Sequence, residues 1–216
     1  MPNIKAAILP VTPLQQNCTL IWDEETSKGA IIDPGGDVAR IQEIIGEAGL
    51  EPEKILLTHG HIDHAGGAAA LAKALGVQIE GPHIEDKFLL DSLAKSGAEF
   101  GIEDAQNVVP DRWLTEGDEV MIGPFAFAVL HCPGHTPGHI VFVNEDERLC
   151  QVGDVLFKGS IGRTDFPYGD HDALITAIKT KLLPLGDDIA FICGHGPPST
   201  IGEERVENPF LVETKG

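Results

Sequence analysis

Thr58-His59-Gly60-His61-Ile62-Asp63-His64 places three histidines and a carboxylate within six residues, directly after the short run Lys54-Ile55-Leu56-Leu57. A packed core has no use for that composition. A metal site does, because imidazole nitrogen and carboxylate oxygen suit zinc, iron and manganese. The spacing is not the i, i+4 histidine pair of a helical His-Glu-x-x-His site. It predicts a strand whose end opens into a loop, with alternate side chains pointing one way.

Such a cluster needs partners from elsewhere in the chain, and candidates recur where predicted strands end. His135 lies in Pro133-Gly134-His135-Thr136-Pro137-Gly138-His139, Asp154 in Gly153-Asp154, and His195 in Gly194-His195-Gly196-Pro197. With His59, His61, Asp63 and His64 they make seven groups, five imidazoles and two carboxylates. One catalytic zinc takes about three protein ligands and keeps a position open. Seven groups exceed that and suit two adjacent divalent ions sharing a carboxylate, with zinc the first expectation and iron or manganese compatible. His83, His131, His139 and His171 lack the pattern and read as structural or exposed, His139 being the first candidate among them to support the site from behind.

The elements that must position these groups follow from periodicity. Residues 4–9, 17–22 and 29–33 read as strands. Asp37 is then expected to cap a helix carrying Val38, Ile41, Ile44 and Ile45 on one face. A helix over 66–75, a short strand at 77–79 and an amphipathic helix over 83–98 follow. Strands are predicted at 119–122, 125–130, 140–143, 149–152 and 189–192. Between the last two, a helix over 172–183 has Leu174, Ile175, Ile178 and Leu182 on one face and is stopped by Pro184. Two strand-rich halves with helices between them predict two sheets packed face to face with helices outside. No linker or low-complexity tract divides residues 1–216, so one domain is expected.

Composition narrows the chemistry further. A formal net charge of -19 repels phosphate backbones and argues against a nucleic-acid partner. Residues 1–16 lack the basic-then-apolar pattern of a signal peptide, and no apolar run reaches the ~18 residues of a membrane span. Four cysteines without paired spacing predict reduced thiols and a cytoplasmic location. Lys158 and Arg163 are candidate contacts for substrate carboxylates. The alternatives are that Lys158 is a solvated charge and that Arg163 pairs with Asp165. Tyr168 is a candidate pocket residue.

Taken in order, the His59–His64 motif, Pro133-Gly134-His135, Gly153-Asp154 and Gly194-His195-Gly196-Pro197 resemble the metallo-β-lactamase-fold hydrolases over nearly the whole chain. The resemblance implies an α/β fold, a four-layer αββα sandwich with the metal site along one edge of the sheets. It also implies that His59, His61 and His135 hold one metal, that Asp63, His64 and His195 hold the other, and that Asp154 bridges. Within the fold, the chain is most similar to the short bacterial glyoxalase II branch, the hydroxyacylglutathione hydrolases. The stretches Asp33-Pro34-Gly35-Gly36-Asp37, Asp165-Phe166-Pro167 and Asn208-Pro209-Phe210 carry that likeness. It implies hydrolysis of a small-molecule thioester such as S-lactoylglutathione by a metal-bound hydroxide, with Asp63 and Asp154 holding the hydroxide in line. Longer glyoxalase II enzymes grip glutathione with cationic residues of a C-terminal extension, and that grip is expected to be missing here. Gly162-Arg163-Thr164-Asp165-Phe166 also resembles the persulfide dioxygenase branch, in which His59, His135 and Asp154 would hold a single iron. A metal-binding protein without catalysis, a lactamase and a nuclease are the remaining readings, the last disfavoured by charge.

Overall fold

A computed structural model describes residues 3–102 and 105–212. The first sheet takes β1 (Ile4–Val11), β2 (Gln16–Asp23), β3 (Lys28–Ile32), β4 (Glu51–Leu56) and β5 (Gln78–Glu80) in that order. β1 to β3 pair antiparallel, whereas β3, β4 and β5 run parallel. Parallel neighbours need crossovers, and helices supply them: α1 (Val38–Ala48) before β4, then α2 (Ile62–Ala65) and α3 (Ala68–Leu75) before β5. α4 (Lys87–Leu90) and α5 (Leu93–Phe100) lead toward the second half.

There, β6 (Glu119–Ile122), β7 (Phe125–His131), β8 (Ile140–Asn144) and β9 (Leu149–Gly153) form an antiparallel meander. β10 (Leu156–Phe157) and β11 (Ser160–Ile161) make a small hairpin beyond it. After α6 (His171–Ala177), β12 (Ala190–Cys193) returns parallel to β9, and β13 (Ser199–Thr200) pairs along its outer edge before α7 (Ile201–Glu207).

Three groups of buried apolar side chains stack these elements into four layers. Between the sheets, Ile21, Ala30, Ile32 and Leu56 meet Val120, Phe127, Val129 and Phe142. On the outer face of the first sheet, Leu20, Ile31 and Ile55 pack with Ile41 and Ile45 of α1 and Leu71 of α3. On the outer face of the second, Val141, Val152 and Phe191 pack with Leu174 of α6 and Ile201 of α7. The middle of each sheet is covered on both faces, so β3 and β8 are almost wholly buried, whereas β7 alternates because its outer face is open to solvent.

Three expectations need correction. Asp37 stands at the start of α1 but does not cap it. Its backbone is left-handed (φ 52°), and its carboxylate instead accepts the Thr12 amide at 2.8 Å. Aspartate tolerates that backbone, and the turn amide needs an acceptor. The helix expected over 83–98 is broken into a 3₁₀ turn at Ile84–Asp86, α4 and α5. Ser92 donates back to the Leu89 carbonyl at 2.9 Å where the last two part. The helix expected over 172–183 is α6 followed by a π-helical turn, Ile178–Leu182.

Truncation of Phe142, fully buried between the sheets, tests this packing. Phe142→Ala is expected to cost about 3–5 kcal/mol in urea unfolding. Met121→Ala, on a side chain 42% exposed, is expected to stay within about 0.5 kcal/mol of the unaltered protein.

Candidate metal centre

Ligand-type side chains arrive at one edge of the two sheets because strands of both end there. β4 runs out at Leu56, Thr58 and His59 follow, and His61 sits at the start of α2. Asp63 and His64 therefore stand on a helical turn instead of alternating along an extended loop. The rest come from the turn after β7 (His135), the end of β9 (Asp154) and the end of β12 (His195).

Two sets of three ligand atoms result. In the first, His61 Nδ1 lies 3.1 Å from His59 Nε2 and 2.9 Å from His135 Nε2. The three rings stand nearly perpendicular to one another, at 80°, 80° and 89°, so their lone pairs converge on one point. In the second set, Asp63, His64 and His195 converge, with His195 Nε2 3.1 Å from Asp63 Oδ2. Asp154 stands between the sets. Its Oδ2 is 3.4 Å from His135 Nε2 and 3.7 Å from His195 Nε2, and its Oδ1 is 3.3 Å from His64 Nε2.

These residues fit metal ions on several counts. Among the described residues, His64 Nε2 and Asp154 Oδ1 are buried with no well-aligned hydrogen bond and face each other at 3.3 Å, an expensive state for polar atoms that a cation between them would relieve. Each inward-facing nitrogen of the first set is freed by a bond on the far side of its ring. His59 Nδ1 donates to Thr58 Oγ1 (3.0 Å), which donates onward to Asp33 Oδ2 (2.6 Å). His135 Nδ1 donates to the Arg163 carbonyl (2.8 Å), and His61 Nε2 donates to the Tyr168 hydroxyl (2.9 Å). His64 Nδ1 donates to Asp33 Oδ2 at 2.9 Å, so one buried carboxylate orients a ligand-type histidine from each set. His139 Nε2 accepts the Asp154 amide at 3.0 Å and its ring stacks 4.5 Å from His59, which places it behind the centre.

Charge points the same way. Burial pushes His59 and His135 below the ordinary histidine range and His61 down to about 3, which leaves neutral imidazoles with lone pairs available. Burial opposes the charge on Asp154 too, yet His64, His135 and His195 hold its carboxyl well below the usual range. Burial likewise disfavours a proton on His64, but Asp154 and Asp63 outweigh it and raise that group. A neighbourhood that draws positive charge onto His64 equally favours a cation beside it.

Asp86 is a participant that no sequence pattern singles out, being one acid among many in a stretch read as an amphipathic helix. Its fully buried carboxylate accepts the Gly60 amide (2.8 Å), the Thr136 hydroxyl (2.7 Å) and the Gly138 amide (2.6 Å). Gly60 separates His59 from His61, and Thr136 follows His135, so Asp86 ties together the loops bearing the first set. Burial raises its carboxyl to about 6, leaving it ionised at neutral pH and able to accept all three bonds. Glycine is also required at Gly194, where a Cβ would stand 2.1 Å from Asp154 Oδ1 and 2.5 Å from His64 Cε1.

Beside the centre lies a cavity of about 540 Å³, within the range of small-molecule sites. Asp63, Asp154, Arg163 and Tyr168 line it. Tyr168 both borders the cavity and holds His61. Arg163 is bound by Asp165 through bonds of 2.7 and 2.8 Å. The structure does not bring Lys158 to the cavity. That side chain is half exposed and lies 3.8 Å from Glu203 of α7, because the β10–β11 hairpin turns it outward.

The profile of the metallo-beta-lactamase superfamily matches residues 11–195. The chain belongs to the metallo-β-lactamase superfamily. A superfamily relative, the hydroxyacylglutathione hydrolase GloC of Haemophilus influenzae, is 51% identical over 205 residues, which are 94% of this chain and 96% of that protein. Among solved superfamily structures, the BLEG-1 B3 metallo-beta-lactamase aligns with a TM-score of 0.88 at 35% identity, covering 96% of this chain and 99% of that one. TTHA1623 in a di-iron-bound form aligns at 0.84 and 36%, covering 95% and 100%. ETHE1 from Myxococcus xanthus aligns at 0.78 and 25%, covering 95% and 83%. The fold of this chain is thus the metallo-β-lactamase fold, and the chain is a hydrolase of that superfamily.

If Asp86 spaces the two loops, Asp86→Ala is expected to weaken retention of bound metal about 10- to 100-fold in competition with a chelator. Retention equal to that of the unaltered protein would remove Asp86 from the site.

Proposed function

We propose that this protein is a metal-dependent thioester hydrolase acting on hydroxyacyl-glutathione thioesters such as S-lactoylglutathione or their close relatives. The observation that carries the reading is the meeting of two three-ligand sets on one carboxylate, Asp154. The identity to a hydroxyacylglutathione hydrolase supports the substrate class. His59, His61 and His135 would hold one divalent ion, Asp63, His64 and His195 the other, and Asp154 both. The donor set suits zinc first, and the likeness to a di-iron protein keeps iron in view.

When bound, the ions would supply an ionised water at neutral pH and a Lewis acid for the carbonyl. The protein's own groups do the positioning. Asp63 and Asp154 carry carboxylates that line the cavity and can accept hydrogen bonds from the attacking water, fixing its direction. Attack forms a bond from water oxygen to the carbonyl carbon and breaks the carbon–sulfur bond, whose electron pair leaves on sulfur. Water's proton passes to solvent or to that thiolate. A free thiol's pKa of about 8.5 makes the thiolate a competent leaving group, so no strong general acid is required. The products are a carboxylic acid and a thiol.

A persulfide dioxygenase with one iron on His59, His135 and Asp154 is the second reading, favoured by the 162–166 stretch and by the likeness to ETHE1. That branch keeps the other ligand-type residues as well, and Gly194-His195-Gly196-Pro197 is the stretch that favours the hydrolase.

Metal analysis and assay separate the two. About two metal ions per chain are expected, with S-lactoylglutathione hydrolysis reduced at least a thousandfold in His59→Ala and Asp154→Ala. One iron per chain with sulfide-dependent oxygen uptake and no thioester hydrolysis would overturn the hydrolase reading.

A further inference from the structure

Three walls of the cavity beside the metal-ligand residues are apolar. Leu89 packs over Gly60, where an added Cβ would stand 2.7 Å from the leucine Cβ. Phe166 lies 4.9 Å from the His61 ring and 5.7 Å from His135, and Phe157 lies 6.2 Å from His195. Farther out, Leu14 and Phe100 line the same cavity while remaining 42% and 49% exposed. Large apolar side chains left open around a reactive centre gain from a ligand that removes them from water.

Charge recognition is poorly provided for in the same place. Among the described lining residues Arg163 is the one lysine or arginine, and its guanidinium makes an exposed pair with Asp165 and lies 4.4 Å over the Phe166 ring. The formal net charge of -19 adds a repulsive field for anions. Glutathione brings two carboxylates to such a pocket and meets one cation, which it would share with the exposed Asp165.

We infer that the cavity discriminates among thioesters, glutathione thioesters included, chiefly by an apolar aliphatic or aromatic substituent next to the thioester group, with little contribution from the charged ends of a peptide thiol. The inference rests on the thioesterase reading and sharpens its substrate class. A methylene moved from water to apolar surroundings raises binding roughly three- to fourfold, so lengthening the substituent has a defined expected slope.

The test uses the metal-loaded full-length chain. One series varies the acyl group, from acetyl through butyryl to hexanoyl, on the neutral thiol N-acetylcysteamine. A second keeps acetyl and lengthens an alkyl thiol. S-lactoylglutathione is the charged comparison. In at least one series kcat/KM is expected to rise about threefold per methylene. The series that rises tells which side of the thioester the apolar walls face. Leu14→Asp and Phe100→Asp are expected to lower the ratio of long-chain to acetyl kcat/KM at least tenfold. Because both rates come from one variant, partial misfolding cancels from the ratio. Flat series would overturn the inference and leave the thioesterase reading standing. An unchanged ratio in both variants would overturn the assignment of the apolar walls. No hydrolysis of any thioester would remove the parent reading, and this one with it.

Discussion

One buried carboxylate governs this structure. Asp154 is almost entirely withdrawn from water, where an isolated negative charge costs far more than the fold could supply. It stays ionised because His64, His135 and His195 converge on it from three separate stretches of chain. Removing partners from such a cluster leaves a charge with no solvent and no counter-charge, a more serious defect than losing one contact. The arrangement is balanced only with positive charge at its centre, whether a proton on His64 or metal ions among the ligands.

Holding five histidines in that register requires support behind them. Asp33, at the end of β3, orients His64 directly and His59 through Thr58, so one acid controls a ring from each set. Asp86 does the complementary work, fastening the loop from the first sheet to the loop from the second. Backbone bonds such as Ile140 N–H to the Thr58 carbonyl (2.8 Å) and Asn17 N–H to the Gly194 carbonyl (2.7 Å) also cross between the sheets, whereas the apolar packing around Phe127 and Phe142 is non-directional and cannot set a spacing between two imidazoles to a fraction of an ångström. Directional bonds to buried acids can.

The layered fold and the convergence of His59, His61, Asp63, His64, His135, Asp154 and His195 were legible in the sequence. Apolar periodicity marks the strands, and every ligand-type residue follows a strand end, where sheet topology alone brings distant segments together. The supporting acids were less legible. Asp33 stands in a recognisable Asp-Pro-Gly-Gly break, but its partners lie more than twenty residues away. Asp86 sits in a stretch with a helical pattern, and the groups that it binds, Gly60, Thr136 and Gly138, are at least 26 residues away. Lys158 shows the opposite failure. Its closeness to Asp154 in sequence suggested the pocket, and a two-residue β-strand with its tight turn directs it away. Asp37 likewise has the right type for a cap and spends its carboxylate on Thr12.

The central claim is that Asp154 joins two metal positions. The most direct measurement is anomalous X-ray scattering from crystals of the metal-loaded protein, collected at the absorption edge of the bound element. The account predicts two peaks, one among His59, His61 and His135 and one among Asp63, His64 and His195, both within coordinating distance of Asp154. A single peak at the first position in fully loaded protein, with Asp63, His64 and His195 paired only to one another, would contradict it.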